Sequence, residues 1–241
     1  MHVVGLALVA ALLAVFVGAI LQGCIGFGMV VLAFPVLVSL EPALLPGTVL
    51  LASIPLVTIN LYRNWSGADF GEVAWLMSGR IPGMLAAVLL VRSVDRSVLA
   101  IGGGLVVLAA VALSLWAPSI QRNRATLVGA GAISGLFGTA VGIGGPPLGL
   151  LYQHETGPKL RSTVSVLMFV GAPLSAAILA ISGELTAADL RTGLVFMPAT
   201  TLGILSAPKF IPWVDTRLRV TVLVVCAIAA LVAMARVAIV N

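Results

Sequence analysis

Glycine clusters twice in this chain, at "GCIGFG" (Gly23–Gly28) and at "GTAVGIGGPPLGLL" (Gly138–Leu151), the second time with two adjacent prolines. Both clusters lie in apolar stretches. In lipid every backbone N–H and C=O needs a partner, so a broken helix survives there only inside protein or along a polar cavity. A helix that restarts after a break presents N–H groups without intrahelical acceptors, at its positive end. Backbone of that kind can replace the water shell of an anion. Gly26, Gly28, Gly142, Gly144 and Gly145 allow the unusual turns and let a ligand approach the main chain. Pro146 and Pro147 suit the first positions of a restarting helix, where a missing N–H costs little. Gln22, Ser134 and Thr139 stand close enough in sequence to add donors.

One charge belongs with them. Arg80 interrupts the apolar run Val73–Val91, about 10 Å of helix rise from one end. An intramembrane arginine is costly and faces a cavity or a partner. Its planar fork suits sulfonate or carboxylate oxygens. Two readings stand level: Arg80 pairs with a substrate, or it snorkels to the interface or pairs with Asp69 or Glu72.

Other reactive types carry less. Cys24 lies within the first break and could touch a sulfur substrate, but small apolar packing is the favoured role. His154 and Glu155 could relay protons, though a solvated loop explains them better. Asp95 and Asp215 precede helices, and capping accounts for both. Ser134 with His154 as its base would make a poor serine nucleophile, and no metal-ligand spacing occurs, so the chain reads as no enzyme and no cofactor is expected.

The elements that hold these residues follow from composition. Of 241 residues, 61% are hydrophobic and 9% charged, with mean hydropathy +1.20. Soluble domains carry about 25% charged residues; this chain is an all-α polytopic membrane protein. The net charge of +5 is scattered over loops, which excludes a nucleic-acid footprint. Apolar runs predict helices over Val3–Leu21, Leu44–Leu61, Val73–Val91, Val98–Trp116, Ala125–Val141, Arg161–Ile181, Leu190–Ala207 and Leu218–Val240. Two shorter runs, Met29–Leu40 and Pro146–Tyr152, follow the glycine clusters as parts of broken or re-entrant pairs. That gives about ten membrane segments, roughly five in each half. The Gly102–Gly104 triplet reads as close helix packing.

The chain also repeats. Gly26-x-Gly28 recurs as Gly142-x-Gly144, Ser66-Gly67 as Ser182-Gly183 and Pro82 as Pro198, each 116 positions on. Val94-Asp95 recurs as Val214-Asp215 at 120. Such matches in order predict two duplicated units, 1–120 and 121–241. If each broken pair returns to the side it came from, Arg63, Arg122, Arg124, Lys159, Arg161, Lys209, Arg217 and Arg219 share one side. Arg92, Arg96, Arg191 and Arg236 share the other. Short basic loops stay in the cytoplasm, so the larger set is cytoplasmic, both termini lie outside and the repeats are inverted. Counting each hairpin as one span would make the repeats parallel. Inverted repeats with broken helices are an architecture of secondary transporters.

"GAISGLFGTAVGIGGPPLGLLY" (Gly131–Tyr152) resembles the second-half signature of the sulfite exporter TauE/SafE family of membrane anion transporters, and "GAILQGCIGFGMVVLAFPVL" (Gly18–Leu37) resembles its first-half counterpart. The resemblance covers nearly the whole chain. It implies transport of sulfite, organosulfonates, sulfoacetate or related small anions, in a bacterial plasma membrane and without an ATPase subunit. It carries over to Gly26, Gly28, Gly142, Gly144, Gly145, Pro146 and Pro147. The first motif departs from the commoner glycine triplet at Gly26-Phe27-Gly28-Met29, where bulky Phe27 and Met29 narrow the site or alter its substrate.

A carrier coupled to protons or sodium, a uniporter, an anion channel and a carrier for a non-sulfur carboxylate are the functional readings to separate. The orientation has its own check. A phosphatase active only outside the cytoplasm, fused to either terminus, is expected to be active in both fusions; inactivity at one end alone would give an odd number of crossings.

Overall fold

The computed structural model describes residues 2–41, 44–116, 120–152, 155 and 157–213, with 227–228, 230–231 and 234–235 near the C-terminus. The described residues form helices α1 (His2–Ile25), α2 (Met29–Leu40), α3 (Gly47–Asn64), α4 (Phe70–Ser93), α5 (Arg96–Trp116), α6 (Arg124–Ala140), α7 (Pro146–Leu151), α8 (Gly157–Ile181) and α9 (Ala187–Ser206), with short 3₁₀ turns at Trp65–Gly67, Ala207–Lys209 and Ile211–Trp213. Among the described residues four stretches are long and apolar enough to cross a membrane: Gly5–Ile25, Phe70–Ser93, Pro158–Ile181 and Ala187–Lys209. Each run predicted from hydropathy up to residue 207 coincides with a helix. The run Leu218–Val240 falls largely outside the described residues, as do His154 and Asp215.

Polar residues fix where helices start. Asp69 caps α4 by accepting from the Glu72 N–H at 3.1 Å. Asn123 and Thr126 form a capping box at α6, and Thr186 and Asp189 form one at α9. Because α4 starts at Phe70, Arg80 lies ten residues in, about 15 Å along the helix and deeper than the sequence run suggested. The carboxylates offered as its partners are engaged elsewhere. Glu72 pairs with Arg122 at 2.7 Å and accepts from the Tyr152 hydroxyl at 2.5 Å. Arg122 also pairs with Glu155, whose carboxyl it holds below the usual range. Glu155 is therefore tied to the start of α6 rather than free in a loop.

Glycine sets the closest helix contact. On α4 and α6, Gly79, Gly83, Gly131 and Gly135 face the partner's main chain. A Cβ on Gly79 would stand 1.9 Å from the Val128 carbonyl oxygen, and one on Gly131 would stand 2.0 Å from that of Leu76. Spacing of small residues by four lets two helices touch along their backbones. The two run in the same direction, since Leu76 meets Gly131 and Arg80 meets Gly135. Helices α1 and α9 also run side by side in one direction, with Gly203 against Phe16 and Gly23 against Ala207. By contrast α3 and α8 are antiparallel: Leu50 and Leu51 share a cluster with Ala176 and Leu179, while Gly67 at the other end meets Ser162.

Shifted by 116 positions, 47–64 falls within α8 and 70–93 falls on 186–209. The same shift exchanges the α4–α6 contact with the α9–α1 contact. Leucines at 85 and 89 of α4 and at 194 and 202 of α9 are exposed, as a lipid-facing surface requires. Between the pairs the core gathers on α2, where Phe34 and Leu37 are fully enclosed. Gly103 takes the Phe34 ring, so at least this member of the triplet serves packing.

Gly131→Leu is expected to force α4 and α6 apart and to cost at least about 2 kcal/mol, read as a lower unfolding temperature of the purified protein. Leucine at Gly129, where a Cβ meets nothing within 4 Å, is the matched control and should leave that temperature nearly unchanged.

Candidate functional site

The first break is a turn that needs glycine. Gly26 and Gly28 adopt φ of 102° and 125°, where a side chain is strained. Gln22, on the last turn of α1, closes the break by accepting from the Met29 N–H at 3.1 Å. The helix ladder offers no acceptor to the next N–H groups, on Val30 and Val31. Both residues line a cavity of about 50 Å³, room for a few waters where one needs roughly 10–15 Å³.

The second break is built differently. Gly142 has φ of 81°. Pro146 and Pro147 occupy the first two positions of α7, so the main chain there has no N–H to give. The next two N–H groups, on Leu148 and Gly149, both turn back to the Gly145 carbonyl at 3.0 Å. The restarting helix of the second half therefore donates little. Gly142, Gly144 and Gly145 still line the cavity and bring bare backbone to its wall.

Arg80 supplies what α7 does not. It is 2% exposed and lines the same cavity. Its Nη1 donates to Ser134 Oγ, whose own proton goes to the Gly144 carbonyl at 2.6 Å. One chain of hydrogen bonds thus ties α4, α6 and the second break together. Space for the guanidinium comes from missing side chains. A Cβ on Gly171 of α8 would lie 2.4 Å from Nε, and one on Gly138 would lie 3.3 Å from Nη2. Nε has no hydrogen-bond partner, and among the described residues no carboxylate pairs with Arg80. A buried cation without a partner costs several kcal/mol. An anion in the cavity would offset that cost.

Phe27 forms another wall. Its ring crosses from the first break to the second, where a Cβ on Gly145 or Gly149 would stand 2.9 or 2.3 Å from a ring carbon. The first-half break is thereby plugged into a notch of the second.

Gln22, Phe27, Gly28, Arg80, Gly142, Gly144 and Gly145 are brought to one cavity. Other residues singled out from the sequence are not. Pro146 and Pro147 border a separate apolar groove beside α5 and α6. Thr139 is buried against Ser175 at 2.8 Å, and Gly26 lies against the stem of Arg161. Cys24 packs in the core with its thiol toward the Ala207 carbonyl. The sequence did not single out Ser53, Met168 and Ala172, which complete the wall from α3 and α8. They lie far from either glycine cluster, and only helix packing delivers them. Ser134 is no nucleophile here: its proton is given to a carbonyl, which cannot accept it as a base.

If Arg80 is kept for a ligand, removing its charge relieves the empty protein. Arg80→Met is expected to raise the unfolding temperature, because a similar volume without charge suits the site better. Ser134 keeps its bond to Gly144. A large fall in stability would instead make Arg80 a structural residue.

The comparisons with curated proteins and with solved structures each gave no match. The family model for sulfite exporter TauE/SafE matches residues 10–233, nearly the whole chain. Members of that family are membrane transporters of sulfite-related anions and not enzymes. This integral membrane chain, with both glycine breaks inside the matched range, belongs to the sulfite exporter TauE/SafE family.

Proposed function

We propose that the chain is a secondary carrier for a small sulfur-containing anion, of the sulfite, sulfonate or sulfoacetate type. The observation that carries this reading is Arg80: a buried guanidinium with no described carboxylate partner, lining a small cavity between two glycine-broken segments. The anion binds Arg80 through its fork and takes further hydrogen bonds from the main chain at the start of α2. Glycine at the second break lets it sit against backbone. The cavity admits a few water-sized groups, which favours a compact oxyanion over a bulky one.

Transport proceeds by alternating access between two inverted units, 1–120 and 121–241, in a bacterial inner membrane, with both termini outside. Supporting the inversion, repeat-related α3 and α8 run in opposite directions across the cavity, as parallel repeats would not allow. Coupling to a proton or sodium gradient drives the movement. A non-sulfur carboxylate would fit the same fork, so substrate chemistry is decided by competition.

The test is uptake of labelled sulfite into proteoliposomes, with a proton gradient, a sodium gradient or neither, and with unlabelled sulfonates and carboxylates as competitors. Saturable uptake is expected. Arg80→Gln should raise KM by about 10-fold or more, as expected for losing a charged hydrogen bond worth roughly 1.5–3 kcal/mol. Phe27→Ala should widen the cavity and shift preference toward larger sulfonates. Uptake that does not saturate would favour a channel, and inhibition by carboxylates alone would reassign the substrate.

A further inference from the structure

A second cavity, of about 200 Å³, lies beyond the first break, walled by the ends of α1, α3, α8 and α9. It gathers Arg63, Arg161, Asn60 and Asn64, and among the described residues no acidic one lines it. Each guanidinium gives one described hydrogen bond to a main-chain carbonyl: Arg63 to Ile204 at 2.7 Å and Arg161 to Cys24 at 3.3 Å. An arginine has five N–H donors, so most remain. Among the described residues neither arginine has an ion pair. Asn60 is 3% exposed, and its oxygen accepts from Asn64 Nδ2 at 3.0 Å. The Asn60 amide N–H groups take no part in that bond. The chemistry that fits is a small oxyanion, held by two cations and a side-chain amide.

The two cavities share walls. On α3, Val49, Ser53 and Val57 line the central cavity, and Asn60 and Asn64 continue the same face into the second. On α8, Ala172 and Met168 line the central cavity, and Arg161 stands seven residues from Met168 on that face. Seven residues of helix are about 10 Å. On α1 the neighbours Gln22 and Gly23 divide between the cavities. The stem of Arg161 lies 3.4 Å from where a Gly26 Cβ would be, so the arginine leans on the break itself. Arg63 and Arg161 also belong to the side that the loop charges make cytoplasmic.

We propose that this cavity is a second anion site, a vestibule that takes the free anion ten residues of α8, about 15 Å, before Gly171, where Arg80 sits, and passes it along the shared faces of α3 and α8. The proposal rests on the carrier reading.

Equilibrium binding of radiolabelled sulfite to the purified full chain in detergent separates the two sites. Wild type should bind two per chain, R63Q/R161Q one and Arg80→Met one. Two bound by the double variant would overturn the vestibule. A single wild-type site, lost with Arg80→Met and kept in R63Q/R161Q, would overturn it while leaving the central site standing. No wild-type binding would remove the carrier reading as well. Phosphatidylglycerol added to the detergent distinguishes a lipid headgroup: irreversible displacement of the arginine-dependent sulfite would give the site to lipid and overturn the proposal. Because R63Q/R161Q also weakens two helix contacts, R63K/R161K serves as the fold-preserving pair, and it should keep the second site at lower affinity. In proteoliposomes R63Q/R161Q should raise the sulfite KM several-fold with kcat little changed, and should flatten its dependence on ionic strength.

Discussion

A positive charge held away from water, without a described negative partner, is the constraint around which this protein is arranged. Arg80 is stabilised as far as neutral groups can stabilise it. Ser134 accepts from it and is itself fixed by the Gly144 carbonyl. Beyond that, the protein supplies room. Gly135 and Gly138 on α6 and Gly171 on α8 each border the arginine, its main chain or its guanidinium, where any side chain would intrude. The charge is thus kept at a cost the folded chain bears, and an anion in the cavity would relieve it. Sites of this kind hold stability and function in opposition, since the residue that binds is the one that strains the empty state.

Glycine serves two purposes that look alike in the sequence and differ in the structure. At Gly26, Gly28 and Gly142 the main chain adopts positive φ and the helix stops. At Gly79, Gly83, Gly131 and Gly135 the helix continues and two backbones meet. The first kind makes the cavity and the second sets its position, because the α4–α6 contact carries Arg80 to the second break. The breaks themselves are unequal. The first leaves main-chain N–H groups at the start of α2, while the second removes them with Pro146 and Pro147. The two breaks thus present different groups to the cavity: main-chain N–H groups at the first, a side-chain charge beside the second.

Helices were legible because lipid imposes a length and a polarity on them. The breaks were legible because glycine and proline are costly in that setting unless used. Arg80 stood out for the same reason, as a charge in an apolar run. Its neighbours did not stand out. Ser134 looked like one more hydroxyl near the second break, and its role in orienting Arg80 depends on the crossing of α4 and α6. Thr139 has the same residue class and a nearer position, yet it turns to Ser175 on α8. Which side of a helix faces a cavity is decided by partners far along the chain, and a sequence read locally cannot hold that information. The same applies to Ser53 and Met168, which reach the cavity only once α3 and α8 are paired.

The tight pairing of α4 with α6 and of α1 with α9 has a consequence for biosynthesis. Each close contact joins a helix of the first half to one of the second, so neither half is complete until the other exists. Arg80 leaves the ribosome 54 residues before Ser134, which at 5–20 residues per second is roughly 3–10 s. For that interval α4 has no α6 to cover its charge. During insertion the long arginine stem must reach for headgroups or water, and α4 settles to its final depth only when its partner arrives. Cover for the Arg80 charge therefore waits on the second half of the chain.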